Sequence, residues 1–570
     1  METLVEKNKK RWLSSSKVPA ADKEAILAMD EKATDDAFYC DIAFGTAGMR
    51  GVLGPGTNRM NLFTVKKASV AFALFLLKDP SNKEKGIVIS HDNRFMSREF
   101  TLEAAKIFNE MGIKSYIFDG LRPTPELSFA VRYLGAAGGV MVTASHNPKE
   151  YNGYKVYDEK GCQLTPTKIA PLLAILAEME DELTVEPIRD QHPGETIVLG
   201  HEVDDEYVSK VEAIALRKDL DKKGFKIVYT PQHGASLENA VRVFSDLGYE
   251  MVKVEKQCTH DPSFGGTLSP NPENADAYIE PLKIAKETGA SLIVMTDPDG
   301  DRCGLAYLSS KGTYERFTGN QSAALLLDYI LMTRKERGTL PEDGVVYDTV
   351  VTSDLGRKVA KGYDLKVESF LTGFKYIGDR IAHYEEIGHG PTFVFGYEES
   401  YGCLIAPFVR DKDGLQAILM YSEMALYYYR KGIPLDIAYE NLEKRFGFHY
   451  TGAESLYFEG SSGKEDMDKM MEAAHETSFR ELGGLKVVRK DDYMSLESTD
   501  CRTGKVTPLA LDRTALVKLH LEDTSWIALR PSGTEPKSKF YVEAVGPSDD
   551  GLKEKAKRIV SGFKKAIGLN

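Results

Sequence analysis

Four apolar runs in this chain of 570 residues each stop abruptly at a dense polar motif. Residues 140–142 lead into TASHNP at 143–148, and 292–295 lead into TDPDGDR at 296–302. Residues 393–395 lead into GYEES at 396–400, and 526–529 into RPSGTEPK at 530–537. Elsewhere short β-branched runs alternate with segments of helical period: 86–90 with 97–111, 225–230 with 237–247, and 345–351 with 355–361. That alternation predicts parallel sheets covered by helices, an α/β fold. In such sheets ligands bind beyond the carboxyl ends of the strands, so a polar burst at a strand end marks where chemistry sits. Four widely spaced bursts imply one loop per domain, and the length, at about 150 residues per domain, gives the same number.

Charge narrows the partners. Lys and Arg number 73 against 86 Asp and Glu, a net charge of −13, which is the wrong sign for a general binder of nucleic acid or anionic membranes. An anionic substrate therefore needs local basic residues. The longest apolar run, 68–77, is bracketed by Lys66, Lys67 and Lys78 and falls short of the ~20 residues of a membrane span. The charged N-terminal segment lacks the apolar centre of a signal peptide, so a cytoplasmic protein is expected. Six cysteines with no CxxC pair suggest neither a zinc cage nor a disulfide framework. Polar or glycine-bearing stretches at 186–205, 309–319 and 446–463 mark candidate seams, and the segment after Gly551 reads as an amphipathic basic helix with Leu552, Ile559 and Phe563 on one side.

The motifs differ in what they can do. Ser145 lies in a loop without the GxSxG elbow of an acyl-transfer nucleophile, but His146 can exchange protons, Asn147 and Pro148 hold a turn, and Lys155 follows in NGYK at 152–155. Such a loop could carry a phosphorylated serine. Asp297, Asp299 and Asp301 alternate in a tight turn bent by Pro298 and Gly300 and can converge on one hard cation; Arg302 and Leu308 at the sixth and twelfth places exclude an EF-hand. A solvated acidic turn is the bland alternative, and without a cation three crowded aspartates repel each other. Glu398 and Ser400, two apart on an extended backbone, would face the same way and could bond paired sugar hydroxyls, or form a surface turn. Arg530 with Ser532, Gly533 and Thr534 offers a guanidinium, hydroxyls and backbone N–H groups to a phosphate, against a plain Pro/Gly turn. FGTAGMRG at 44–51 presents Arg50, and TGFK at 372–375 presents Lys375 after Thr372 and Gly373; either cation, taken singly, suits a surface charge.

Together TASHNP, DPDGDR and RPSGTEPK, in this order, resemble the α-D-phosphohexomutases, the phosphoglucomutase/phosphomannomutase superfamily, over the chain from Phe44 to about Tyr541. The resemblance implies four domains around a central cleft: three similar α/β units with mixed sheets and a smaller C-terminal α+β domain. They would span 1–203 with the phosphoserine loop, 204–316 with the metal loop, 317–445 with the sugar-contact loop and 446–570 with the phosphate-binding loop. It implies that Ser145 is the phosphoserine and that Asp297, Asp299 and Asp301 bind Mg²⁺, with a phosphoryl oxygen on Ser145 as the fourth ligand. Pro298 stands where the family usually has Gly. The family's sugar loop reads GExSG, while this chain has GYEESYG with an inserted Tyr397, so Glu398 and Ser400 carry over as sugar contacts. Thr372 and Gly373 join the substrate contacts, and Arg530, Ser532, Gly533 and Thr534 grip the phosphate not being transferred. Arg302 and Arg50 would serve the transferred group, and Lys155, Lys375 and His146 would move protons. The implied reaction interconverts α-D-glucose 1-phosphate and 6-phosphate, with glucose 1,6-bisphosphate as intermediate and activator, in a monomer or homodimer. Phosphopentomutase or phosphomannomutase activity, an aspartate-nucleophile phosphatase using Asp297, and a non-catalytic sugar-phosphate binder are the alternatives.

Overall fold

The computed structural model describes residues 2–45, 48–458, 463–531 and 537–569. The chain forms two compact units, one of Met1–Gly319 with Phe374–Pro434, the other of Asn320–Gly373 with Leu435–Asn570.

The first unit holds two mixed sheets. A seven-stranded sheet runs in the order Phe44–Gly45, Gly48–Val52, Tyr151–Asp158, Gly138–Val142, Ile87–His91, Ser115–Phe118, Thr196–Leu199. Its last four strands are parallel, and the others pair antiparallel. Ile87–His91 and Gly138–Val142 are buried at every position, as strands covered by helices on both faces must be. Helices Leu62–Leu76, Ser97–Glu110 and Pro166–Glu178 share one apolar core with them. Three N-terminal helices, Leu4–Ser14, Ala20–Ala28 and Glu31–Phe38, close over Trp12, Ile26 and Phe38, and the Trp12 indole donates to Glu182 at 2.7 Å.

The second sheet runs Tyr314–Arg316, Cys303–Leu308, Leu292–Thr296, Lys226–Thr230, Glu250–Lys253. Leu292–Thr296 is parallel to Lys226–Thr230 and antiparallel to Cys303–Leu308, so the chain leaves this central strand through the tight 297–302 turn. The buried helix Gly414–Arg430 packs against that strand, its first turn capped by Asp413 accepting from the N–H groups of Leu415 and Gln416. In the same unit, Thr392–Tyr397 pairs antiparallel with Cys403–Leu404.

In the second unit Gly344–Thr349 lies parallel to Lys366–Phe370. A β-rich C-terminal domain follows, an antiparallel sheet in the order Phe448–Tyr457, Lys537–Gly546, Trp526–Pro531, Val517–Leu521, Leu485–Asp492, Glu497–Asp500, Val506–Pro508. Helices Gly463–Glu476 and Leu552–Ala566 accompany it, and Leu552, Ile559 and Phe563 enter its core as the sequence pattern requires. Each candidate seam contains a strand. Residues 446–463 contain the ten-residue strand Phe448–Tyr457, while 186–205 and 309–319 contain the strands Thr196–Leu199 and Tyr314–Arg316. All three are edge strands with partly wetted faces, which gives these stretches their polar composition. Among the described residues no helix is long and apolar enough to cross a membrane, and Cys162, Cys303 and Cys403 are buried.

Candidate active site

Ser145 follows the strand Gly138–Val142 and takes a left-handed backbone, φ +53°, which costs a non-glycine residue of order 1–3 kcal/mol and is held only by its surroundings. Those surroundings are specific. Its N–H donates to Thr143 Oγ1 at 2.7 Å, and Thr143 Oγ1 donates in turn to Asp92 Oδ2 at 2.6 Å. On the other side the Arg94 guanidinium donates to the carbonyls of Ser145, Asn147, Pro148 and Tyr151 at 2.6, 2.6, 2.7 and 3.0 Å. The serine hydroxyl donates to Asp297 Oδ2 at 3.1 Å and lies 3.2 Å from His146 Nδ1. A loop of the first sheet is thereby joined to the acidic turn of the second.

Asp297, Asp299 and Asp301 are all buried, and one oxygen from each lies within 4.8 Å of the others. Asp297 Oδ1 accepts from the N–H groups of Asp301 and Arg302, which fixes the turn. Asp299 Oδ2 accepts from Lys155 Nζ at 2.7 Å and Thr124 Oγ1 at 3.1 Å; Asp301 Oδ2 lies 2.8 Å from Lys412 Nζ and 3.5 Å from Lys155 Nζ. Asp299 Oδ1 and Asp301 Oδ1 are buried without a hydrogen-bond donor. Buried carboxylate oxygens left bare are costly, so the donor set fits a hard divalent cation bound through oxygen. Gly300, φ +69°, completes the turn: a Cβ there would lie 2.1 Å from Ser236 Oγ and 2.6 Å from Pro123 Cβ.

Crowding sets the protonation. Burial, then the charges of Asp299 and Asp301, push Asp297 well above the carboxylate range. Burial acts the same way on Asp299, but Lys155 outweighs it and holds that carboxyl below its ordinary value. Burial, followed by Arg302 and Arg50, pushes His146 well below the usual imidazole range and keeps it neutral. Burial lowers and Asp299 and Asp301 raise Lys155, and the carboxylates prevail.

The residues expected from the sequence fall into three groups. Ser145, His146, Lys155, Asp297, Asp299 and Asp301 converge directly. Around them Arg50 donates to Asn147 Oδ1 at 3.2 Å and Arg302 donates to Glu273 Oε1 at 3.4 Å. Burial lowers Arg302 and Lys412, and the carboxylates around them, Glu273 and Asp301 for Arg302 and Asp301 and Asp411 for Lys412, with Glu398 adding to both, outweigh it and raise them. Lys375 is buried in the first turn of the helix Phe374–Ile387, its Nζ 5.5 Å from the Tyr376 ring centre. The extended arrangement expected of Glu398 and Ser400 is not found. The strand ends at Tyr397, which pairs with Cys403, and 398–402 turn back between them, with Glu398 N–H on Gly402 O and Tyr401 left-handed at φ +68°. Thr372, Gly373 and Arg530 belong to the second unit, where Arg530 pairs with Lys539 across the sheet; Ser532, Gly533 and Thr534 lie outside the described residues.

Three models of phosphoglucomutase/phosphomannomutase α/β/α domains match this chain: domain I over residues 41–182, domain II over 205–309 and domain III over 318–446. A phosphoglucomutase of Staphylococcus epidermidis (strain ATCC 12228 / FDA PCI 1200) is 35% identical over 504 residues, covering 88% of this chain and 90% of its own. One from Staphylococcus aureus (strain bovine RF122 / ET3-1) is 35% identical over 532 residues, covering 92% and 93%. The chain belongs to the phosphoglucomutase/phosphomannomutase family. Solved structures share the fold: the Paramecium phosphoglucomutase parafusin, with a TM-score of 0.66 at 18% identity over 92% of this chain and 94% of that one, and a family protein of Burkholderia thailandensis, with 0.65 at 18% over 92% and 98%. The α-D-phosphohexomutase resemblance carried by the motifs and the α/β fold read from alternating strand and helix segments thus hold, with three α/β domains and a fourth, β-rich one. As a phosphoglucomutase/phosphomannomutase family member the chain is an enzyme of the isomerase class that transfers a phosphoryl group.

Several residues that build this mutase site carry no expectation from the sequence. Arg94 follows the strand Ile87–His91, and Lys412 lies in the RDKDG run at 410–414, a polar burst shortly after Cys403–Leu404; the strand-end rule applied there would have marked both. Thr124, whose N–H also donates to Asp299 O at 2.8 Å, sits in an ordinary helix start and gives no such signal.

Proposed function

We propose that the chain is a phosphoglucomutase that interconverts α-D-glucose 1-phosphate and 6-phosphate through a phosphoserine at Ser145 and glucose 1,6-bisphosphate. The observation that carries this reading is the Ser145 hydroxyl, held 3.1 Å from Asp297 Oδ2 beside two aspartates whose buried Oδ1 oxygens have no donor. The phosphoglucomutase relatives support the choice of sugar.

Asp297, Asp299 and Asp301 would hold Mg²⁺, which when bound supplies positive charge for the oxygens of the transferring phosphoryl group. The chain's own residues do the rest. Ser145 Oγ gives up its phosphoryl group to a sugar hydroxyl, and the bisphosphate then turns and returns its other phosphoryl group to the same oxygen. On the return, the serine proton must leave Oγ, and neutral His146 Nδ1 at 3.2 Å is placed to take it. Lys155 and Lys375 are further candidates for moving the sugar's protons, and Arg302 and Arg50 for neutralising charge on the group in flight. Glu398 and Ser400 would contact sugar hydroxyls. Thr372 and Gly373 would add substrate contacts, and Arg530, Ser532, Gly533 and Thr534 would hold the idle phosphate. Both Asp297 oxygens already accept from the chain, an arrangement suited to an anchored ligand rather than to a free attacking nucleophile. A cytoplasmic location and a monomeric or homodimeric state go with the reading, as do domain limits at 203, 316 and 445.

The test combines intact-protein mass spectrometry with an assay panel of hexose and pentose 1-phosphates, with Mg²⁺ and a trace of glucose 1,6-bisphosphate. One phosphate on Ser145 and fastest turnover of glucose 1-phosphate are expected. An active enzyme that never carries the phosphate, and whose Ser145→Ala variant stays active, would overturn the reading.

A further inference from the structure

We propose that Arg94 and Phe264 are positioning residues for phosphoryl transfer at Ser145, the guanidinium setting the loop backbone and the phenyl ring setting the guanidinium. The proposal rests on the phosphoserine reading.

Arginine has five N–H donors, and in Arg94 each is used: Nε on Asp92 Oδ2, one terminal nitrogen on the carbonyls of Pro148 and Tyr151, the other on those of Ser145 and Asn147. The side chain is 0% exposed. With no donor left for a ligand, it acts only through the loop. Asp92, its partner, also accepts from Thr143 Oγ1, which receives the Ser145 N–H, so the Asp92–Arg94 pair grips the serine's peptide groups from both ends. That grip is what sustains a left-handed serine.

The ring of Phe264 lies 5.2 Å from the Arg94 guanidinium, within the range of a cation–π contact and strengthened by burial. Phe264 is itself left-handed, φ +52°, in a loop fastened on several sides. Asp261 Oδ2 accepts from Gly265 N–H, His233 Nε2 meets Gly265 O at 2.9 Å, and Thr267 Oγ1 donates to Gln232 Oε1 at 3.0 Å. Asn93 ties the two loops directly, donating to Asp261 O at 2.9 Å. The segment that anchors Phe264 also braces the acidic turn: Ala235 N–H donates to Pro298 O at 2.9 Å, and a Cβ on Gly234 would lie 2.4 Å from Pro298. One piece of backbone, 232–235, thus fixes both the aspartates and, through Phe264 and Arg94, the serine that must meet them.

The test uses the full-length protein, first shown to carry phosphate on Ser145; failure at that step counts against the phosphoserine reading and not against this one. Single-turnover transfer from phospho-Ser145 is then followed in Arg94→Lys, Phe264→Leu and the double variant, each rate expressed per phosphorylated molecule. Because a misplacement of about 1 Å can cost about 10²-fold, Arg94→Lys should slow transfer and kcat by about that factor, with KM within about twofold. Phe264→Leu should slow both less, in the same direction, and the double variant should be no slower than Arg94→Lys, since the ring acts through the guanidinium. Unchanged transfer in Phe264→Leu, multiplying effects in the double variant, or a raised KM at constant kcat would each overturn the proposal. Phe264→Leu keeps the test decisive where Arg94→Lys does not fold.

Discussion

Lys412 Nζ stands 2.8 Å from Asp301 Oδ2, a carboxylate that Lys155 also approaches at 3.5 Å. Two ammonium groups, Lys155 buried and Lys412 largely so, thus share the acidic turn, and the Lys412 one has been delivered by a segment more than a hundred residues further along the chain. Lys412→Met keeps the stem and removes the charge. A charge-assisted hydrogen bond is worth ~1.5–3 kcal/mol, so kcat/KM for glucose 1-phosphate should fall about 10- to 100-fold in steady-state assays. A value within error of wild type would reduce Lys412 to a spectator.

Asp299 keeps one oxygen on Lys155 and Thr124 and leaves the other bare. Asp299→Asn preserves an oxygen ligand but removes a unit of charge facing a divalent ion, so Mg²⁺ affinity and turnover should both drop. Calorimetric titration of the metal-stripped protein checks the affinity. Wild-type activity surviving exhaustive chelation would contradict the metal site itself.

Gly300→Ala should be harmful for two reasons that add. The position has φ +69°, and the new methyl would run into Ser236 Oγ and Pro123 Cβ. A strained backbone together with overpacking should cost roughly 2–5 kcal/mol, read as a lowered denaturant midpoint, and the displaced turn should weaken Mg²⁺ binding as well. A variant with wild-type midpoint and wild-type metal affinity would show that the turn has room the structure denies it.

Lys518, buried in the C-terminal sheet with its ammonium on Val350 O and over the Trp526 ring, is pushed down from 10.5 to about 8, by burial first and the Arg357 charge second. Asp354, Glu543 and Asp491 pull the other way without prevailing. Between those two values the unfolded chain holds more protons than the folded one, so stability rises with pH across that window. The cost of keeping the buried charge is fully present below pH 8 and amounts to about 3 kcal/mol at most. Denaturation curves of wild type and Lys518→Met from pH 7 to 10.5 should therefore converge or cross in the wild type's favour as pH rises; parallel curves would mean the lysine is not titrating there.

What the sequence made legible was contiguous. TASHNP and DPDGDR each gather their working groups within a few residues, and a strand-end rule sufficed to place Ser145 and the three aspartates. Arg94, Thr124 and Lys412 act across 51 or more positions, as in the Arg94–Ser145 bond; a strand end marks Arg94 and Lys412 as site residues without naming their distant partners, and Thr124 carries no local mark at all. The same limit explains Glu398 and Ser400. Alternation in an apolar run predicts where a strand lies, while the turn after Tyr397 depends on Cys403 pairing back. Composition marked 446–463 as a seam but gave no sign of the strand Phe448–Tyr457 within it, because an edge strand with one wet face is as polar as a linker.

Arg94 recognises its loop through carbonyl oxygens, a group that every amino acid brings to the same place. Side chains at Pro148 and Tyr151 can therefore drift without loosening the hold, whereas no replacement for the arginine offers the same planar fork. The loop's side chains and the place where its backbone stands are thus written on separate letters of the sequence.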